Sequence, residues 1–183
     1  MPILGIWASQ ISGKLFAPSG AYDSIATTTV GAGGAANISF SSIPQTYTHL
    51  QIRFIARTNR SATSDLLNIS LNGSATTTGH YLFGNGSTVF SGVLNSFVGW
   101  GSSNSTTSNA FGTGIIDILD YANTNKNRVV RTLSGWEGNG DGEIALTSVL
   151  QTSTSAVSSL TITPNTGSFT QYSQFALFGI KGA

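Results

Sequence analysis

Apolar residues recur at every second position over several stretches of this 183-residue chain, which is the side-chain period of a β-strand. From His49 to Arg57, Leu50, Ile52, Phe54 and Ala56 fall on one face and Gln51, Arg53, Ile55 and Arg57 on the other, predicting a strand with one core face and one mostly wet face. Asp65 to Leu71 repeats the pattern through Leu67, Ile69 and Leu71, and ends at Asn72-Gly73, a pair that tolerates the positive φ of a tight turn. Glu143 to Leu150 alternates as well, Val157 to Thr163 carries Leu160 and Ile162, and Gln174 to Ile180 is a closing strand after a turn at Pro164–Gly167. In Phe111–Leu119 and Arg128–Leu133, Ile115, Ile116, Ile118, Val129, Val130 and Leu133 include adjacent apolar pairs, so these two predict central strands covered on both faces. Ser24–Val30 and Ala36–Phe40 flank Gly31-Ala-Gly-Gly34 and read as a hairpin, while His80–Phe83 and Phe97–Trp100 read as shorter strands. Ser74–Gly79 reads as a loop, and Gly101–Asn109, lacking any apolar anchor, as a long, exposed and mobile one.

About ten strands and no helix predict an all-β fold, and the spacing suits two packed antiparallel sheets: a jelly-roll-like β-sandwich over residues 21–183. Residues 1–20 differ, with an apolar start and then Ser/Gly/Pro punctuation, and predict an extended N-terminal arm. Composition agrees: Ser, Thr and Asn supply 62 of the 183 residues and Gly 22 more, a mixture that favours pleated surfaces and turns over helices.

Charge narrows the function. Only 8% of residues are charged, against about 25% in an ordinary domain, and the net charge is +1, so no footprint for a phosphate backbone exists and no nucleic-acid partner is expected. There is no Cys, hence no thiolate chemistry or cysteine-ligated metal. No apolar run reaches the roughly 18 residues of a membrane helix, so no membrane insertion is expected. The apolar Met1–Ala8 stretch has no basic residue before it, the first being Lys14, and does not read as a secretion signal.

Candidate chemistry is sparse. His49 and His80 accompany many Ser, but no Gly-x-Ser-x-Gly elbow is present, and each His reads as a strand residue. Glycoside cleavage needs two facing carboxylates. Asp117 and Asp120 are three apart on a strand and do not converge, and Asp117 reads instead as one end of a cross-strand pair with Arg128 or Arg131. Glu137-Gly-Asn-Gly-Asp-Gly-Glu143 has the start of a calcium loop, but Ser148 stands where the bidentate carboxylate belongs, leaving a hairpin turn. Arg53, Arg57 and Arg60 are grouped, with Asp65 and Asp117 as internal partners. Trp100 and Trp136 adjoin glycine-rich stretches, which would allow partly exposed rings as sugar platforms, but core or interface packing is the more common fate of Trp and the preferred reading. The reading is of a protein with no catalytic residues, no cofactor and no metal.

The blocks Ile43-Pro-Gln-Thr-Tyr-Thr-His-Leu-Gln-Ile-Arg53, Asp117-Ile-Leu-Asp-Tyr-Ala-Asn-Thr-Asn-Lys126, Arg131-Thr-Leu-Ser-Gly135 and Ser173-Gln-Phe-Ala-Leu-Phe-Gly-Ile-Lys-Gly182 give the chain a resemblance, from Tyr22 onward, to small virion structural proteins of tailed bacteriophages, including phages of cyanobacteria and other aquatic bacteria. That resemblance implies a virion protein assembled in the host cytoplasm, commonly a trimeric β-sandwich, and brings no active-site motif. The expectation is a homotrimeric capsid decoration (cement) protein on the head surface, bound to the major capsid protein. Ile3, Leu4, Ile6 and Trp7 of the arm would contact the shell or a sister subunit. The alternative is a tail-fibre or head-fibre receptor-binding domain that recognises host surface glycans through Trp100 and Trp136.

Overall fold

The structure is a computed structural model that describes residues 21–75, 78–95 and 97–182. The arm, with Ile3, Leu4, Ile6 and Trp7, lies outside the described residues. Thirteen strands run in chain order: β1 Tyr22–Thr29, β2 Ile38–Phe40, β3 His49–Ala56, β4 Ser64–Leu71, β5 Ser74–Ala75, β6 Thr78–Gly84, β7 Val89–Asn95, β8 Phe97–Ser102, β9 Gly112–Ile118, β10 Arg128–Glu137, β11 Gly142–Gln151, β12 Leu160–Pro164 and β13 Gln174–Ile180. They form an eight-stranded sheet, ordered β1-β13-β3-β9-β10-β11-β6-β7, and a smaller one, ordered β2-β12-β4-β5, with β8 also paired to β4. The strand pairs are antiparallel and the sheets are packed as a sandwich, so the all-β reading holds.

The core lies where the alternating residues of both sheets meet. Leu50, Ile52 and Phe54 of β3, Ile116 and Ile118 of β9, Val130 of β10, and Phe175 and Leu177 of β13 are buried. They form one cluster with Ile38 and Phe40 of β2, Leu67, Ile69 and Leu71 of β4, and Leu160 and Ile162 of β12. Each fully buried aliphatic or aromatic side chain contributes about 1.5–3 kcal/mol. Glycine permits close contact at the centre: a Cβ on Gly114 would stand 2.5 Å from the Phe54 ring and 2.9 Å from the Ser134 Cβ. A second, aromatic cluster of Phe97, Trp100, Trp136 and Ala145 fills the sandwich beyond β10, with Tyr81 and Phe83 of β6 against it. There the Phe97 and Trp100 rings meet edge to face at 4.6 Å.

Several local expectations are corrected. The Ser24–Val30 and Ala36–Phe40 segments do not pair with each other: β1 pairs β13 and β2 pairs β12, so the glycine stretch carries the chain between sheets. Ile38 and Phe40 are needed in the opposite core layer, and apolar pattern alone does not choose a partner. Asn72-Gly73 does make the tight turn, with φ of 50° and 76°, but Ser74–Ala75 then pairs back onto β4 rather than forming loop. β7 was not anticipated, because Val89–Asn95 is an edge strand with weak alternation.

The stretch at 103–110 is largely exposed, as expected, but it is anchored from beneath by polar groups. Arg57, 8% exposed, reaches under it, and its Nη1 donates to the carbonyls of Thr107 (2.9 Å) and Ala110 (2.7 Å). Its Nη2 donates to the carbonyls of Thr106 and Asn104 at 3.3 and 3.4 Å. Ser103 is fully buried, and its hydroxyl donates to the Arg60 carbonyl at 2.7 Å. Arg128 does the same at another loop cluster. Buried to 2%, it donates through Nε to Tyr121 O (3.0 Å), through Nη1 to Ser153 O (2.7 Å), and through Nη2 to Asn123 O (2.7 Å) and Thr154 O (3.3 Å). A guanidinium presents five N–H donors in a fixed fork, so one side chain can gather several backbone carbonyls of a polar loop at once.

Candidate interaction surface

The outer faces of the two sheets have opposite chemistry. On the small sheet, the residues between the buried positions are Ser39 of β2, Thr161 and Thr163 of β12, and Asn68 and Ser70 of β4. The Ser39 and Thr161 hydroxyls hydrogen-bond across the strands at 2.9 Å. That face is made for water.

The outer face of the large sheet is mostly aliphatic. Strand register sets its residues in transverse rows. One row reads Arg53, Ile115, Leu133, Leu146 and Leu82 across β3, β9, β10, β11 and β6. Its neighbour reads Ile55, Thr113, Gly135, Ile144, Gly84 and Val89. Of these, Leu133 is 52% exposed, Ile144 64% and Val89 72%. Val93 stands at the end of the next row on the other side, opposite His80, and Val129 lies beyond that row; both are exposed. β10 shows the cause within one strand: its burial alternates strictly over Arg128–Leu133, yet Val129 and Leu133 occupy outward positions where a one-faced strand carries polar residues. β9 and β10 are central in the sheet as the sequence predicts, but the described residues cover only one of their faces.

A polar row of Gln51, Asp117, Arg131, Ser148 and His80 also crosses this face, and Gln51, Asp117 and Arg131 engage one another, with Arg53 of the next row joining them. Gln51 Nε2 donates to Asp117 Oδ1 at 2.9 Å, Arg53 Nε donates to Gln51 Oε1 at 3.0 Å, and Arg131 Nη2 lies 3.6 Å from Asp117 Oδ2. Of the two expected partners of Asp117, the register selects Arg131, which stands directly opposite. The Arg53 guanidinium also lies 5.5 Å from the ring centres of both Tyr22 and Phe178. Arg57, expected beside Arg53, turns inward instead, because β3 ends at Ala56.

Between the aliphatic rows lies a cleft of about 690 Å³, lined by residues that include Phe111, Thr113, Ile115, Leu133, Gly135 and Ile144. Gly135 supplies depth, since any Cβ there would approach the Glu143 carbonyl oxygen at 2.9 Å. Glu137 and Glu143 border this cleft. Glu143 accepts a hydrogen bond from Trp136 Nε1 at 3.0 Å, and the turn between the two glutamates closes through Gly138 N to Asp141 O at 2.7 Å, an ordinary hairpin turn.

Both tryptophans take the core fate, and the alternative glycan-contact role is what the structure corrects. Trp100 and Trp136 are only 6% and 4% exposed, packed in the aromatic cluster, so neither offers the free ring face that sugar stacking needs. Adjacent glycines raise no ring to the surface here: Gly99 admits Ser134 beneath it, and Trp100 N donates to the Ser134 hydroxyl at 3.1 Å. His49, Asp120 and Asp65 are engaged structurally. His49 Nδ1 accepts from the Asp120 backbone N–H at 2.9 Å. Asp120 pairs with Lys126, which holds its carboxyl below the usual range. Asp65 is fully buried, and burial raises its pKa in spite of Arg60 at 3.3 Å. Among the described residues no group of three or more His, Asp or Glu is placed to hold a metal ion. No family model, no curated protein and no solved structure matches the chain.

Proposed function

We propose that this chain is a non-enzymatic virion structural protein of a tailed bacteriophage: a homotrimeric decoration protein that cements the head by binding the major capsid protein. The observation that carries this reading is the aliphatic outer face of the large sheet. Soluble monomers rarely leave a contiguous apolar patch of more than a few hundred Å² in water, so a face of this kind belongs to a molecule whose work is contact. Strand order supports it. We read the succession β1-β13-β3-β9 facing β2-β12-β4-β8 as that of a jelly roll, with β10, β11, β6 and β7 as a lateral extension, and jelly rolls are a common architecture of viral shells. The resemblance of the quoted blocks to phage virion proteins points the same way. A ligand that binds only the assembled shell stabilises it by mass action.

The test uses undecorated heads and the purified full chain. Full-length protein is expected to bind and to raise the temperature at which the heads rupture, whereas deletion of residues 2–14 abolishes binding while the sandwich stays folded. Unchanged occupancy after that deletion, or heads that never bind the full chain, overturns the proposal.

A further inference from the structure

We propose that the outer face of the large sheet is the surface on which copies of this chain associate with one another, so that the occupant of its aliphatic rows is a sister subunit of the same closed assembly. This rests on the reading of the chain as a contact protein and specifies which surface does the work. Three observations select a sister copy. The first is area. Nine aliphatic residues of this face, from Ile115 at 38% to Val89 at 72% exposure, are about half exposed on average. At about 150–180 Å² for a fully exposed aliphatic residue they offer roughly 700–800 Å², close to the ~800 Å² that each partner contributes to a standard stable interface.

The second is charge. Asp117 pairs with Arg131, and Arg53 is engaged by Gln51 and by the rings of Tyr22 and Phe178, so the charged groups of this row have partners within the chain and leave a net charge of only one, too little to call for an oppositely charged protein. The third is shape. Ile144 projects beside the cleft at Gly135 in the same transverse row, so each copy carries both a knob and a hole, which is what association of identical subunits in a closed assembly requires. The hydroxyl-lined outer face of the small sheet has none of these features and remains toward solvent.

The experiment is the mass of the full chain in solution at micromolar concentration, by light scattering or native mass spectrometry. Wild type is expected to be oligomeric. Leu133→Asp with Leu146→Asp is expected to give a monomer that keeps the near-ultraviolet circular dichroism of the buried Trp cluster. Ser39→Asp, on the other sheet, leaves the mass unchanged. Should the aspartates prevent folding, Leu133→Ser with Leu146→Ser is expected to weaken association about a hundredfold or more. A monomeric wild type overturns the proposal, and one that begins to associate once residues 1–20 are removed identifies the arm as the occupant instead. Folded Asp or Ser variants that retain the wild-type mass overturn it as well. Loss of head binding by a wild type whose mass responds as expected defeats the decoration reading and leaves this interface standing; persistent head binding with unresponsive mass does the reverse.

Discussion

Arg57 and Arg128 are charged side chains used as interior anchors, each spanning four backbone carbonyls with no carboxylate beside it. Desolvation lowers the pKa of both, yet an arginine remains charged at any ordinary pH, and the carbonyl dipoles replace the lost water. Hydrogen bonds to charged groups contribute about 1.5–3 kcal/mol each and are not additive, so Arg57→Ala is expected to cost about 3 kcal/mol or more, read as a lowered urea midpoint. Arg57→Lys should recover little, because an ammonium cannot span four carbonyls; a lysine variant as stable as wild type would defeat this account. Asp65 sets a pH dependence whose sign follows from burial. Its folded pKa lies above the ordinary carboxylate value, so above that value the folded state holds the proton more tightly than the unfolded chain. Its contribution to stability is therefore greatest below about pH 3.9 and declines as pH rises through the window up to the folded value. Asp120 acts in the opposite sense, its stabilisation being lost as pH falls, so the comparison that isolates Asp65 is the melting-temperature difference between wild type and Asp65→Asn across pH. That difference should change over the window; a constant offset would show that Asp65 does not titrate as argued.

At the scale of strands, the single-period segments were legible and the pairings were not. β3, β4, β12 and β13 lie where Leu50–Ala56, Leu67–Leu71, Leu160–Ile162 and Phe175–Ile180 place them, because alternation reports burial directly. The Asn72-Gly73 turn was also legible, since both residues accept the positive φ that it needs. The hairpin expected around Gly31–Gly34 was not there, because a glycine-rich connection serves a sheet-to-sheet crossing as readily as a tight turn. The adjacent apolar pairs of β9 and β10 carried real information: both faces of these strands carry apolar residues, although the described residues cover only one of them. Close strand packing gives this layer little tolerance. Gly114→Val is expected to destabilise by about 1–3 kcal/mol or more through its collision with Phe54 and Ser134, with the denaturant slope unchanged. A variant of wild-type stability would show that the two layers can separate without cost.

For the molecule as a whole, low charge and an aliphatic outer face are two sides of one property. Only 8% of residues are charged, and of the described ones Asp23, Asp65, Asp117 and Asp120 pair within the chain with Lys181, Arg60, Arg131 and Lys126, so surface fields are weak and short-ranged contact decides what the protein meets. The sequence by itself determined the all-β class, the core positions and the poverty of catalytic groups, because strand period, composition and residue chemistry are local properties of the chain. Tertiary structure alone decided that Trp100 and Trp136 are interior, that Arg57 rather than any apolar residue anchors the 103–110 segment, and that Leu133, Ile115 and Ile144 form one surface. Those facts depend on which distant strands become neighbours and in what register, and register arises from packing between segments, which no local pattern encodes.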